Sequence, residues 1–297
     1  MRTNHVRAVF CIPTRKAATM SFTTTEQKGL YPDLTFPYTD AVPDALIVNP
    51  AIATVAGIIE GDKPQIRVPY VKTDPTSGFT AEGSEIADGG GVLDEVLVTT
   101  GKIATIVTQS NESATFSTAS QLIASGVSRS ITTSANGAFL TNPAASTLGS
   151  TGLLNTTGML TPDAAALADI IDLIADTRAQ IETNGGTPTA ILVSPLVEAA
   201  LRKLKDATGG TYILGNPSQN NALSIFALPV IANKSITANT LLIDSAAEVV
   251  AAVGNINVAS STDAAFTSDS IVRRATWRIG HNVIHPDRLA KLTITAA

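Results

Sequence analysis

The residues best suited to chemistry are acidic. Glu82, Glu85, Asp88, Asp94 and Glu95 surround a triple glycine, Gly89-Gly90-Gly91, and such a stretch invites comparison with a cation loop or a phosphate cradle. Neither fits. A calcium loop needs carboxylates at its first, third and fifth positions and a glutamate at its twelfth. A phosphate loop needs G-x-x-x-x-G-K-[ST], and the sequence has neither. His281 and His285, with Asp287 beside them, have a spacing that would hold a metal on a helix. Here Pro286 interrupts a segment that alternates like a strand, so the rings need not converge, and ordinary polar positions are the simpler reading. For nucleophilic catalysis there is no G-x-S-x-G. The single cysteine, Cys11, has no obvious histidine partner, and Ser194 precedes Pro195, where a helix cap belongs. Trp277 reads as core or interface packing. Arg273, Arg274 and Arg278 are candidates for phosphate binding or for salt bridges to a neighbouring chain. No catalytic, cofactor-binding or metal-binding residue is assigned on this basis, and the chain reads as a non-enzyme without a cofactor.

Composition narrows the classes further. The chain has 297 residues and 30.6 kDa, enough for one large domain or two modest ones. Hydrophobic residues make up 44 % but aromatics only 4 %, so the apolar content is aliphatic. That suits a self-packing scaffold better than a ligand pocket, which is usually lined with aromatic side chains. The formal charge is −5 and the basic residues are scattered, whereas a protein that grips nucleic acid by its phosphates clusters its Lys and Arg. Sequence-specific DNA binding is not expected. One cysteine excludes an intrachain disulfide and a cysteine-based zinc site. No apolar run approaches the roughly 20 residues that span a bilayer, and the patch Ala8 to Ile12 is too short for a signal-peptide core. The chain therefore reads as cytosolic at synthesis, with no membrane partner. Met20 opens "MSFTTTEQ", an alternative start that would leave residues 1–19 as an optional or removable extension.

The elements that must position these residues follow from periodicity. Residues 1 to about 45 carry Pro13, Pro32, Pro37 and Pro43 without sustained periodicity and read as an extended arm. "ALIVNPAIATVAGII" (45–59) is an apolar segment against the core. Ile66, Val68 and Tyr70 share one parity, a strand signature, and Val96, Val98, Ile103 and Val107 suggest a long, partly irregular strand from Glu95 to Ser110. Some twenty irregular residues between them make an oversized hairpin, and loops of that length in compact domains are usually functional. From Asn111 to Leu140, Phe116, Leu122, Ile123, Val127 and Ile131 recur at helical spacing, predicting a long helix capped near Asn111 or Ser113. A second helix is expected to start at Thr161 and Pro162, bury Leu167, Ile170, Ile171, Ile174 and Ile181, and stop at Asn184-Gly185-Gly186. The strand "TAILV" (189–193), a helix from Ser194 to about Asp206, and the strand "NTLLIDS" (239–245) complete an α/β unit. The tail alternates like strands, with a turn near Pro286.

Several motifs then line up in order. Phe79 precedes Glu82-Gly83, the acidic stretch Glu85 to Asp88, the strand Val96 to Val98, Lys102-Ile103-Ala104, and Ser110-Asn111-Glu112 at a helix start. "ILVSPLVEAALRKLKDATGGTYILG" (191–215), "ALPVIA" (227–232) and "WRIGHNVIHPDRLAKLTI" follow. Together they resemble the major capsid proteins of tailed bacteriophages with the Hong Kong 97-like fold, over roughly residues 40 to 297.

The resemblance implies an α+β fold in four parts. These are an N-terminal arm (1–56), an extended loop forming an inter-subunit hairpin (57–102), a peripheral domain with a long spine helix (103–159 and 251–283), and an axial α/β domain (160–250 and 284–297). It implies a head protein that self-assembles as pentamers and hexamers into an icosahedral shell around double-stranded DNA, is located in the virion, and is assembled in the host bacterial cytoplasm. The implied partners are other copies of the chain, a separate scaffolding protein, a portal and decoration proteins. Phe79, Glu82, Gly83, Glu85, Asp88, Gly90 and Asp94 become the inter-subunit loop, and Arg273, Arg274 and Arg278 its candidate arginine partners. Some members of the family seal the shell with a Lys–Asn isopeptide bond promoted by a Glu. Here the corresponding positions fall on about Asp269 and Thr276, so no autocatalytic crosslink is expected. The alternatives are an encapsulin-type compartment shell and a phage tail or surface structural protein.

Overall fold

A computed structural model of the chain describes residues 21–22, 45–59, 64–114, 117–143, 149–164, 166–205, 210–215 and 222–294, with residues 21–22 and 117–120 described by backbone alone. Most of the expected arm, 1–20 and 23–44, lies outside them, as does Phe116.

In chain order the first half contains β1 (Ser21–Phe22), β2 (Thr54–Ile59), β3 (Gln65–Thr73), β4 (Val92–Ser110), α1 (Asn111–Ala114) and α2 (Ser117–Thr141). The second half contains α3 (Ile170–Thr183), β5 (Ala190–Val193), α4 (Pro195–Arg202), β6 (Ser224–Ile225), β7 (Leu228–Ala232), β8 (Thr240–Asp244), β9 (Val249–Gly254), β10 (Asn257–Ala265), β11 (Ser270–Val283) and β12 (Ala290–Thr293). They form two sheets. The larger runs β1-β4-β11-β9-β2, with β10 added to β11 and β3 to β4; the smaller runs β12-β8-β5-β7-β6.

The 19-residue β4 organises the larger sheet. Its first half, Val92 to Thr99, pairs with β3, and its second half, Thr100 to Ser110, pairs with β11. On β3 the alternation read from the sequence is observed: Ile66, Val68 and Tyr70 are half-buried while the residues between them are exposed. Short β1 runs parallel to the end of β4, at Thr108 and Gln109.

Helix α2 lies against this sheet. Ile131, Ala135, Phe139 and Leu140 are buried with Ala275, Trp277 and Ile279 of β11 and Val249 and Ala251 of β9. The segment ahead of β2 is tied to the same helix, because Asn136 Oδ1 accepts the Leu46 amide at 2.8 Å and Leu46, Ile47, Ile52 and Ala53 enter the core. The helical run opens one residue earlier than its expected cap, since the Ser110 hydroxyl accepts the Ser113 amide.

The smaller sheet separates two cores. Every residue of β5 and β8 is buried, and alternation sends their side chains to opposite faces. Ala190, Leu192 and Leu242 join the α2 core, whereas Ile191, Val193, Leu241 and Ile243 face α3 and α4. Burial on both faces explains why these strands read as continuous apolar runs.

Two further boundaries differ from expectation. Helix α3 begins at Ile170 and not at Thr161. Just ahead of Thr161, Leu160 is held extended beside the strand β12: its amide donates to Leu289 and its carbonyl accepts from Lys291. This pairing prevails over the local helix-start signal. The C-terminal stop is where expected, with Gly185 at φ +81°. Helix α4 ends at Arg202, short of Asp206, because Lys205 bridges to Tyr212. Its predicted cap is present: Ser194 Oγ accepts the Val197 amide.

Candidate inter-subunit surface

Beyond β3 and β4 the hairpin continues as a long projecting loop, residues 74–91. It is narrow but ordered by its own bonds. The Thr76 amide donates to the Gly89 carbonyl at 2.9 Å, and Asp88 Oδ1 accepts the Gly90 amide at 3.1 Å. At the far end the Ser84 amide reaches back to the Ala81 carbonyl, closing a turn whose third residue, Gly83, has φ +78°. A turn of that form needs a glycine there. The Glu82-Gly83 pair picked out by motif is therefore the apex of the loop.

The apex is apolar as well as acidic. Phe79 is fully exposed, Ile86 is 80 % exposed, and Leu93 at the loop's return is 77 % exposed. Glu82, Glu85 and Asp88 are exposed too and make no ion pair among the described residues. Along the stem, Arg67 pairs with Glu95 and Lys72 with Asp94, each at 2.9 Å. The hydrogen bond from Lys72 holds the Asp94 carboxyl below its ordinary range and the lysine above its own. Large aliphatic and aromatic groups on this two-stranded projection are not covered by the other described residues, and an isolated hairpin is marginal in water.

The arginines expected at the seam are placed at the sheet. Arg273 donates to Gln109 Oε1 at 2.9 Å, and Arg278 donates to Thr100 Oγ1 at 2.8 Å. Arg274 is exposed on the same strand. They lie on β11, well separated in sequence from the apex of the same chain. Trp277 belongs to the core, its Nε1 donating to the Gly254 carbonyl at 2.7 Å.

His281 and His285 do not converge. His281 is buried edge-on to Phe139, and burial pushes its pKa down to about 4, a bond to the Thr151 backbone offsetting this in part. His285 instead contacts Tyr70 and lies 2.8 Å from Glu248, whose other oxygen accepts from Arg288 at 2.7 Å. Arg288 also donates to the Asn184 carbonyl at the end of α3. This cluster joins the hairpin stem to both sheets. Sequence reasoning missed it, because Glu248 lies far from the histidines along the chain and no local pattern marks it. Asp244 was missed too. It is fully buried, and its carboxylate oxygens have no well-formed partner among the described residues. Burial pushes its carboxyl well above the ordinary range, and the adjacent Ser245 amide offsets this only in part. Among the described residues no three His, Cys, Asp or Glu side chains group as a metal site, and no helix is long and apolar enough to cross a membrane.

The most exposed feature of this geometry is the projecting hairpin with its apolar apex. Residues 41–294 match the phage capsid family. The chain belongs to that family. This capsid protein also superposes on a chain from Microbacterium phage Oxtober96 with a TM-score of 0.71 at 16 % identity, covering 92 % of this chain and 99 % of that one. A chain from Gordonia phage Cozz gives 0.67 at 15 %, covering 99 % and 100 %. The capsid of an empty GTA particle, computed with C5 symmetry, gives 0.66 at 17 %, covering 92 % and 98 %. At these identities the likeness establishes the fold, which is the α+β Hong Kong 97-like architecture expected from the sequence. No curated protein matches by sequence. The capsid protein is structural and not enzymatic, is a component of the virion, and works by associating with copies of itself into a shell.

Proposed function

We propose that the chain forms pentamers and hexamers that close into an icosahedral shell around double-stranded DNA, and that its hairpin fastens neighbouring subunits. The observation that carries this reading is the projection from Thr73 to Val92, whose apolar apex has no partner surface among the described residues of its own chain. In this reading Phe79, Glu82, Gly83, Glu85, Asp88, Gly90 and Asp94 lie over an adjacent subunit, and the exposed carboxylates face arginines such as Arg273, Arg274 and Arg278 across the seam. The hairpin is the extended loop (57–102). The larger sheet and α2 supply the peripheral domain (103–159 and 251–283), and the smaller sheet with α3 and α4 the axial domain (160–250 and 284–297). Residues 1–56 are the arm.

A stable protein interface buries about 1,600 Å², and several such contacts per subunit multiply modest affinities into a persistent shell. Head-to-tail contacts that close give rings, as pentamers and hexamers require. Assembly takes place in the host bacterial cytoplasm with a separate scaffolding protein and around a portal, with decoration proteins as further candidate partners. No Lys–Asn crosslink forms.

The test is to express the chain alone, and with a scaffolding protein, and to examine it by negative-stain electron microscopy and sedimentation velocity. Hollow shells or five- and six-membered rings are expected. A 30.6 kDa monomer that never assembles under either condition overturns the reading.

A further inference from the structure

Between α2 and the β10–β11 face runs an open apolar trough of about 680 Å³, which continues into a smaller cavity of about 120 Å³. Ala45 and Val48 line one end, Val127, Val258 and Ala275 the middle, and Val107 the other end. Val258 is 68 % exposed, an unusual setting for a valine facing a groove floored by tryptophan and alanine.

The chain itself supplies a candidate to cover it. At one end, Ser21 and Phe22 are already paired with Thr108 and Gln109, next to Val107. At the other, Ala45 is part of the wall. Residues 23–44 connect these two ends. Their sequence contains Leu30, Tyr31, Leu34, Phe36, Tyr38 and Val42, a dense apolar and aromatic set in a protein with few aromatics. Pro32, Pro37 and Pro43 disfavour a helix and suit an extended chain laid along a groove. Glu26, Asp33, Asp40 and Asp44 outnumber Lys28, opposite in sign to Arg273 and Arg274, which line the smaller cavity.

We propose that residues 23–44 occupy this trough on their own subunit, completing the core between α2 and β10–β11. A segment fixed at both ends on one subunit reaches the trough of that subunit without the entropy cost of crossing to another and returning.

The test uses the full chain with Val258→p-benzoylphenylalanine, and in parallel Ile123→p-benzoylphenylalanine at the other end of the trough, in case one variant does not fold. Ile106→p-benzoylphenylalanine, on the opposite face of β4, is the control. After irradiation the products are sized on a denaturing gel and the joined peptides mapped by mass spectrometry. The expected result is an adduct to residues 23–44 in a band of monomer size, lost in the Ile106 control. An adduct to that segment in a dimer band overturns the proposal in favour of a neighbour's arm. Adducts confined to other residues, or none from either trough position, overturn it altogether. Shell assembly is scored separately, so failure here leaves the proposed assembly role standing.

Discussion

Two buried ionisable side chains pull the stability of the subunit in opposite directions. His281 is held neutral, with its pKa lowered from 6.5 to about 4. In the unfolded chain it binds a proton more readily, so its contribution is complete above pH 6.5 and is lost as pH falls through 4. At 1.36 kcal/mol per pKa unit the loss across that window is roughly 3 kcal/mol. Urea denaturation of unassembled subunits from pH 7.5 down to pH 4.5 should show this decline, and His281→Gln should flatten it. Asp244 behaves inversely. Its raised pKa means that the folded state retains the proton, so its contribution is complete below pH 3.8 and is lost as pH rises. Asp244→Asn should therefore stabilise the subunit, with a gain that grows from pH 4 towards neutrality. A gain independent of pH would show that the carboxyl is not titrating as its burial dictates. Between pH 4 and 6.5 the two slopes oppose each other, and only the single variants separate them.

At the scale of elements, the hairpin is separable from the fold it projects from. The base of its stem is packed, with Val98 of β4 buried against Ile59, Val250 and Ala252, whereas residues 74–88 are exposed throughout. Replacing residues 77–88 with a short glycine linker should leave the melting temperature of the subunit unchanged and abolish shell formation. A variant that melts early, or one that still assembles, would assign the loop a different role. Both strands of this hairpin were legible from their alternation, and the Glu-Gly apex from its motif. The start of α3 was not. Thr161, Pro162 and Asp163 carry every local signal of a helix N-terminus, yet Leu160 is committed to β12. No local window contains that partner. The order of the sheets was hidden for the same reason, since Thr100 to Ser110 pairs with Ser270 to Gly280 across most of the chain. Glu248, His285 and Arg288 meet only once that order exists.

At the scale of the whole molecule, the formal charge of −5 and the scattering of the basic residues bear on what the shell holds. A lining that does not neutralise phosphates has little means of gathering nucleic acid by itself. Shells formed by the purified chain at physiological salt should show a protein-like ratio of absorbance at 260 to 280 nm and resist no more salt when DNA is added. A nucleic-acid-like ratio would reveal a basic lining that the sequence does not display.

The change of partners along β4 has a mechanical consequence. A beam braced on one side for half its length and on the other side for the rest is weakest at the changeover, here Thr99 to Gly101. That short stretch is where the chain has placed its reinforcement. The Ser150 hydroxyl grips the Thr99 carbonyl, Arg278 grips Thr100, and Gly280 lies so close that any side chain there would collide with the Thr99 oxygen. A load applied at the apex is carried along a continuous strand, without a hinge, to a clamped joint at the edge of the core. The hairpin is thus a cantilever, and in its proposed role the tension between neighbouring subunits would be borne at Thr99 to Gly101.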